Sequence, residues 1–332
     1  PDLRVRPLPI TIGVTGHIDI DPADESLAER EVRRLFDSIS DRYPSTPIRL
    51  LSSLAEGSDR IAAKAFLAFR DNLEGSRPEV ARLCELIAPI PLPERLYETD
   101  FPQSVQEFRR LLGCAAEAFP LPVRHGLSLE KISSDGPARN AQYQDASRYI
   151  ASHCDILVAM WDGMDVGKTG GTSDTVRIRL LDEDRVSRSH LAPLMRPSAN
   201  PVLHITIGRS RPSAGTPAAD ILAHPHYCTS TQGALDLLDD LRAIDDFNIS
   251  VASFVSPELF KRQASYAIGN PQLAARVESR MSRPQRICLE LFVTADALAV
   301  FFGRRWRLMT YVIYGLGLRS EEHTSELQSR FG

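Results

Sequence analysis

Cys154–Thr172 reads CDILVAMWDGMDVGKTGGT: an apolar run passes into an Asp-Gly turn at Asp162 and Gly163, then into Gly170, Gly171 and the hydroxyl of Thr172. A loop free of bulky side chains lets backbone N–H groups face an anion, and the carboxyl edge of an α/β sheet is where such loops gather. The chemistry this predicts is phosphate binding. Ile10–His17, ITIGVTGH, has the same form and breaks into Gly13, Thr15, Gly16 and His17. Ile48–Arg60, IRLLSSLAEGSDR, ends its strand at Ser52 and Ser53 and carries Glu56, Gly57, Asp59 and Arg60 into a helix. Glu56 can accept ribose hydroxyls or serve as a base, Asp59 can cap the helix, and Arg60 can reach either a phosphate or Asp59. Arg139 and Tyr143, four residues apart, share a helix face and offer a guanidinium and a ring to a nucleotide.

Two familiar motifs are excluded by spacing. Gly163–Thr169, GMDVGKT, places only Met164, Asp165 and Val166 before Gly-Lys-Thr, and Asp162 stands where a P-loop needs glycine. Gly13 to Gly16 lacks the G-x-G-x-x-G spacing of a dinucleotide fold. Lys168 could still meet a phosphate as a point charge.

Positioning these loops requires alternating strands and helices. Apolar runs predict strands near 9–16, 48–54, 84–91, 154–161 and 202–208, with a short one at 121–124. Helical patterns cover 23–42, 58–72, 103–118, 137–153, 172–182 and 231–245. The class is α/β: a Rossmann-like, mostly parallel sheet with helices on both faces. Val186–Pro201 and Arg209–Ala218 read as loops. A long helix over 283–307 adds a C-terminal helical extension.

The 332 residues suffice for a large core, and the net charge of −4 argues against a general nucleic-acid binder. The five cysteines are scattered without metal-type spacing, so no metal and no required cofactor is expected, and the thiols read as reduced. Arg304, Arg305 and Arg307 precede the uncharged run Leu308–Leu318, about half the ~20 residues of a membrane span. Arg319–Ser329, RSEEHTSELQS, resembles the conceptual translation of a sequencing-adapter oligonucleotide. The expected organisation is 1–250 nucleotide-binding domain, 251–305 helical linker, 306–318 start of a truncated transmembrane helix and 319–332 artefactual tail.

GVTGH, LLSSLAEGSDR, PLPERLYETDF, RNAQYQDASRYIASHCDILVAMWDG and GGT, in that order over Ile10–Ile207, resemble the SLOG superfamily of Rossmann-like domains, which includes DprA and the LOG phosphoribohydrolases. The similar bacterial proteins fuse this domain to a C-terminal membrane segment. The resemblance implies a nucleotide pocket bordered by Gly13, Thr15, Gly16, Ser53, Glu56, Gly57, Gly170, Gly171 and Thr172. The expected function is sensing a nucleotide or nucleotide-derived small molecule and signalling it to a membrane effector in stress or antiviral responses. The expected location is the cytoplasmic face of the inner membrane, homo-oligomers being allowed. Hydrolase members carry a glutamate after Gly-Gly-x-Gly-Thr, whereas Ser173, Asp174 and Thr175 follow here. The alternative is therefore a phosphoribohydrolase or related hydrolase using Glu56 or Asp174. A DprA-like single-strand DNA binder fits the fold but is set aside on the acidic balance, so no nucleic-acid partner is expected.

Overall fold

The computed structural model describes residues 3–181, 200–211, 214–238, 240–268 and 281–331, with the side chains of all except 240, 284, 308 and 310–331. The chain divides into two compact units, Pro9–Asp245 on one hand and Pro1–Leu8 with Asp246–Gly332 on the other.

The larger unit is built on β1 (Ile10–Gly16), β2 (Ile48–Leu51), β3 (Glu85–Ile90), β4 (Glu117–Pro120), β5 (Ile156–Trp161), β7 (Val202–Thr206) and β9 (Tyr227–Cys228). These form one sheet in the order β4-β3-β2-β1-β5-β7-β9, and every pairing is parallel. A small antiparallel ribbon pairs β6 (Met164–Asp165) with β8 (Thr216–Pro217). The α/β, Rossmann-like architecture expected from the sequence is the one observed. Helices α1 (Pro22–Arg42), α2 (Ser58–Ser76), α3 (Pro78–Ala81), α4 (Glu94–Tyr97), α5 (Val105–Cys114), α6 (Leu129–Ile132), α7 (Pro137–Ser152) and α8 (Thr172–Leu181) intervene.

Alternation along the strands sends side chains to two cores. Ile10, Ile12, Val14, Ile156, Val158 and Met160 pack with Val32, Phe36 of α1 and Phe66 of α2. Leu157, Ala159 and Trp161 face the other way, with Ile150 of α7 and Val176 of α8. Strands buried on both faces read as continuous apolar runs, which is why the sequence marks them clearly. The short strand expected at 121–124 lies four residues earlier, at β4, because its pairing partner Ile87–Ile90 fixes the register.

In the smaller unit, helices over Asp240–Phe254, Pro257–Ile268 and Arg283–Phe331 bury Val251, Val255, Phe260, Val293 and Ala297 against Leu3 and Val5. Among the described residues no helix is long and apolar enough to cross a membrane. The helix expected over 283–307 continues to Phe331. Apart from Met309, which is exposed, the side chains of the apolar run and of the tail lie outside the described residues, as does the loop expected from Val186 up to residue 199.

Candidate functional site

Because the sheet is parallel, the loops after β1, β2, β3 and β5 all open on its carboxyl edge, and the strand order reverses between β1 and β5. Two glycines set the geometry there. Gly57 has φ +73°, and a Cβ on it would run into the carbonyl oxygen of His17. A Cβ on Gly16 would meet the Ser58 hydroxyl and, at 2.5 Å, Met160 O. The N-terminus of α2 therefore docks on the β1 turn: Ser58 N–H donates to His17 O at 3.0 Å, and the Ser58 hydroxyl donates to the same oxygen at 3.0 Å.

His17, 3% exposed, is held at its Nε2. The Asp162 backbone N–H donates to it at 3.0 Å, and Arg209 Nε–H donates to it at 3.2 Å. Burial, then the Arg209 charge, hold this imidazole below the usual histidine range. A neutral ring that accepts at Nε2 carries its proton on Nδ1, and that buried Nδ1 has no hydrogen-bond partner. Arg209 also pairs with Asp162 at 3.4 Å and Asp19 at 3.4 Å. Asp21 caps Ala23 N–H at 3.0 Å, and Asp24 accepts from Gly208 N–H at 2.6 Å. The start of α1, where a Rossmann fold would receive an anion, is thus already negative. Sequence reasoning missed Arg209, Asp19 and Asp24, since nothing in local spacing links residues almost two hundred positions apart.

The β2 loop forms a second group. Ser53 donates to Pro89 O at 2.9 Å. Asp59 is buried among the β2 loop residues and accepts from Ala55 N–H at 3.4 Å; burial pushes its carboxyl up to about 7. Arg60 is 2% exposed, donates to Leu54 O at 3.1 Å and to the Ser104 hydroxyl at 2.7 Å, and lies 4.6 Å from the Phe101 ring. It braces these loops through Nε and Nη1, while its Nη2 is buried without a partner. The Glu56 carboxylate accepts the Ser104 hydroxyl proton.

A third group surrounds Gly170. Its φ is +74°, and a Cβ would stand 2.8 Å from Gln144 N on α7. Gly170 N–H donates to Asp174 at 2.8 Å, Gly171 N–H donates to Lys168 O at 3.1 Å, and Thr172 opens α8. Asp174 also accepts from Gln144 Nε2 at 3.0 Å. Arg139, buried, donates to Ile132 O at 2.7 Å and to Asp100, which also accepts the Tyr143 hydroxyl. Gly163, with φ +76°, is the buried turn after Asp162. Thr15 lies half-buried near the end of β1. Gly13 lies away from these loops, inside β1, where a Cβ would stand 2.8 Å from Ile150. Among the described residues no group of three or more His, Cys, Asp or Glu could hold a metal ion.

No protein-family model matches the chain, and no curated protein matches it. Among solved structures it is similar to DNA processing protein A (DprA) from Streptococcus pneumoniae, with 15% identity, a TM-score of 0.37, and 70% of this chain and 62% of that chain covered. It is also similar to DNA processing protein A from Helicobacter pylori, described for its single-stranded DNA binding mode, with 10% identity, a TM-score of 0.38, and 69% and 80% covered. This chain spans 62% of the pneumococcal protein. The likeness is one of fold alone, a Rossmann-like parallel sheet.

Two expectations are corrected by these findings. The small-nucleotide sensor coupled to a membrane effector gives way, because the neighbours are DNA-processing proteins, one described as binding single-stranded DNA, and no membrane coupling is shown. The exclusion of nucleic acid from the partners gives way with it. That exclusion rested on a net charge of −4, a whole-chain sum that does not fix the charge met at one loop.

Proposed function

We propose that the carboxyl edge binds a nucleotide unit of a single-stranded nucleic acid. The observation that carries this reading is the reversal of strand order between β1 and β5, since an open parallel sheet leaves a ligand crevice outside the strand ends at such a point. The rim is acidic. Asp19 and Asp162 face Arg209, Asp100 lies in the field of Lys168, and Glu56 stands nearby on the β2 loop. Such a rim does not track a long phosphate backbone, which needs a basic groove. It suits a short contact in which carboxylates accept from base amines or sugar hydroxyls while a cation meets a phosphate.

Fluorescence anisotropy of short single-stranded oligonucleotides across rising salt tests the reading. Each phosphate contacted on a single strand contributes about −0.7 to the log–log salt slope, so one or two contacts give about −0.7 to −1.4. Absence of binding, or a slope several times steeper, overturns the proposal.

A further inference from the structure

The Gly170–Thr172 loop commits the N–H groups of Gly170 and Gly171 to its own acceptors, so a phosphate on this edge must be met elsewhere. We infer that the N-terminus of α5, with Ser104 and Arg60, is an anion subsite that takes a phosphate oxygen and that Glu56 fills when the ligand is absent. The inference rests on the nucleic-acid reading only for the source of the phosphate.

Helix α5 runs ten residues, and Ser104 at its start makes no side-chain capping bond. Its first turn thus presents N–H groups and the positive end of the helix dipole without the usual side-chain acceptor. The second observation is the guanidinium behind it. Arg60 Nη1 donates to the Ser104 hydroxyl at 2.7 Å and to Glu107 at 3.2 Å, while the adjacent Nη2 is buried without a partner. A buried guanidinium arm without an acceptor marks a missing oxygen. The Phe101 ring, 4.6 Å away, holds the guanidinium plane in place.

Glu56 accepts the proton of the adjoining Ser104 hydroxyl and leaves Nη2 without an acceptor, so a phosphate that displaces Glu56 can serve both. Lys64 pairs with Glu107 at 3.1 Å, and Asp59, in the field of Arg60, keeps its proton below about pH 7, so in that range two cations, Arg60 and Lys64, balance two charged carboxylates, Glu56 and Glu107. Swinging Glu56 out leaves one net positive charge beside a helix N-terminus, and a singly charged phosphate restores the balance one for one. Glu56 sits half-buried on the β2 loop, where it can move without opening the core.

The test uses the full chain, inorganic phosphate by calorimetry and a short single-stranded oligonucleotide by anisotropy. Glu56→Gln removes the competing charge at constant size and is expected to tighten phosphate about tenfold, the worth of one charge-assisted hydrogen bond. Ser104→Ala is expected to weaken it. Tightening of both probes assigns the subsite to a phosphodiester of the strand. Tightening of phosphate alone keeps the subsite and counts against the strand reading instead. Unchanged or absent phosphate binding in a Glu56→Gln protein with wild-type melting overturns the inference.

Discussion

The backbone N–H of Asp162 donates to His17 Nε2 at 3.0 Å, tying the loop after β5 to the loop after β1 at the reversal of strand order. Arg209 Nε–H donates to the same nitrogen at 3.2 Å. The Asp162 carboxylate, 3.1 Å from Nε2, favours a proton there, but burial followed by the Arg209 charge outweighs it and lowers the pKa of the ring from 6.5. In the unfolded chain the histidine takes its proton near 6.5. Below that pH the unfolded state binds more protons than the folded one, and stability falls as pH drops. His17→Gln keeps an acceptor and removes the titration. Urea midpoints at about pH 7.5 and about pH 5 should show a larger acid loss for wild type than for the variant; equal losses would refute the assigned state.

Asp59 titrates with the opposite sign. Burial raises its carboxyl from 3.8 to about 7, so between roughly pH 4 and pH 7 the folded state holds a proton that the unfolded state has released. Stability due to this group is present at the acid end of that window and is lost as pH rises through it. Asp59→Asn should flatten the loss, with a gain on the order of a few kcal/mol at most at neutral pH. A variant whose melting curve tracks wild type from pH 4.5 to 7.5, to within the usual surface-mutation scatter of about 0.5 kcal/mol, sinks the idea.

Two glycine substitutions should differ in sign. Gly57 has positive φ and no room for a Cβ against His17 O, whereas Gly75, near the end of α2, meets nothing within 4 Å. Gly57→Ala should cost on the order of 1–3 kcal/mol and loosen the β1 turn. Gly75→Ala should add up to about 1 kcal/mol through helix propensity. Thermal melts decide it, and a neutral Gly57→Ala would show that the α2 docking is adaptable.

Periodicity exposed what is local. The runs ITIGV, IRLL and ILVAMW mark β1, β2 and β5 because each is buried on both faces. The glycine turns after them were visible as breaks in those runs. Their use was not. Gly16 and Gly57 bring α2 against β1, and Gly13 lets α7 approach, roles that depend on partners far along the chain. The sequence left Arg60 able to reach a phosphate or Asp59, and gave no sign of its burial. Arg60 is buried because α2 is covered on several sides, with Asp59, Arg60, Ile61, Ala62 and Ala63 all inside. Ser104 was legible only as a residue at a helix start; its pairing with Glu56 spans 48 residues and left no local signal.

The N-terminal segment carries the last prediction. Leu8 N–H donates to Asn248 Oδ1 at 2.8 Å and Leu8 O accepts from Asn248 Nδ2 at 2.9 Å, so one buried amide side chain serves the backbone as a neighbouring strand would. Arg6 extends the attachment, its N–H donating to Thr294 at 3.1 Å and its Nε to Glu290 at 2.9 Å. Asn248→Ala leaves the donor and the acceptor of Leu8 without that partner, at a cost of about 1–3 kcal/mol each where water cannot replace it. Asn248→Asp keeps the acceptor for Leu8 N–H and turns a carboxylate oxygen toward Leu8 O, so it should fall between wild type and alanine near neutral pH. Amide hydrogen exchange at Leu8 and Arg6 is the readout. Faster exchange there in Asn248→Ala, with Ile12 and Val158 in the sheet unchanged, is the expected result. Wild-type protection at Leu8 would mean that the segment is held by packing of Leu3 and Val5 rather than by this amide.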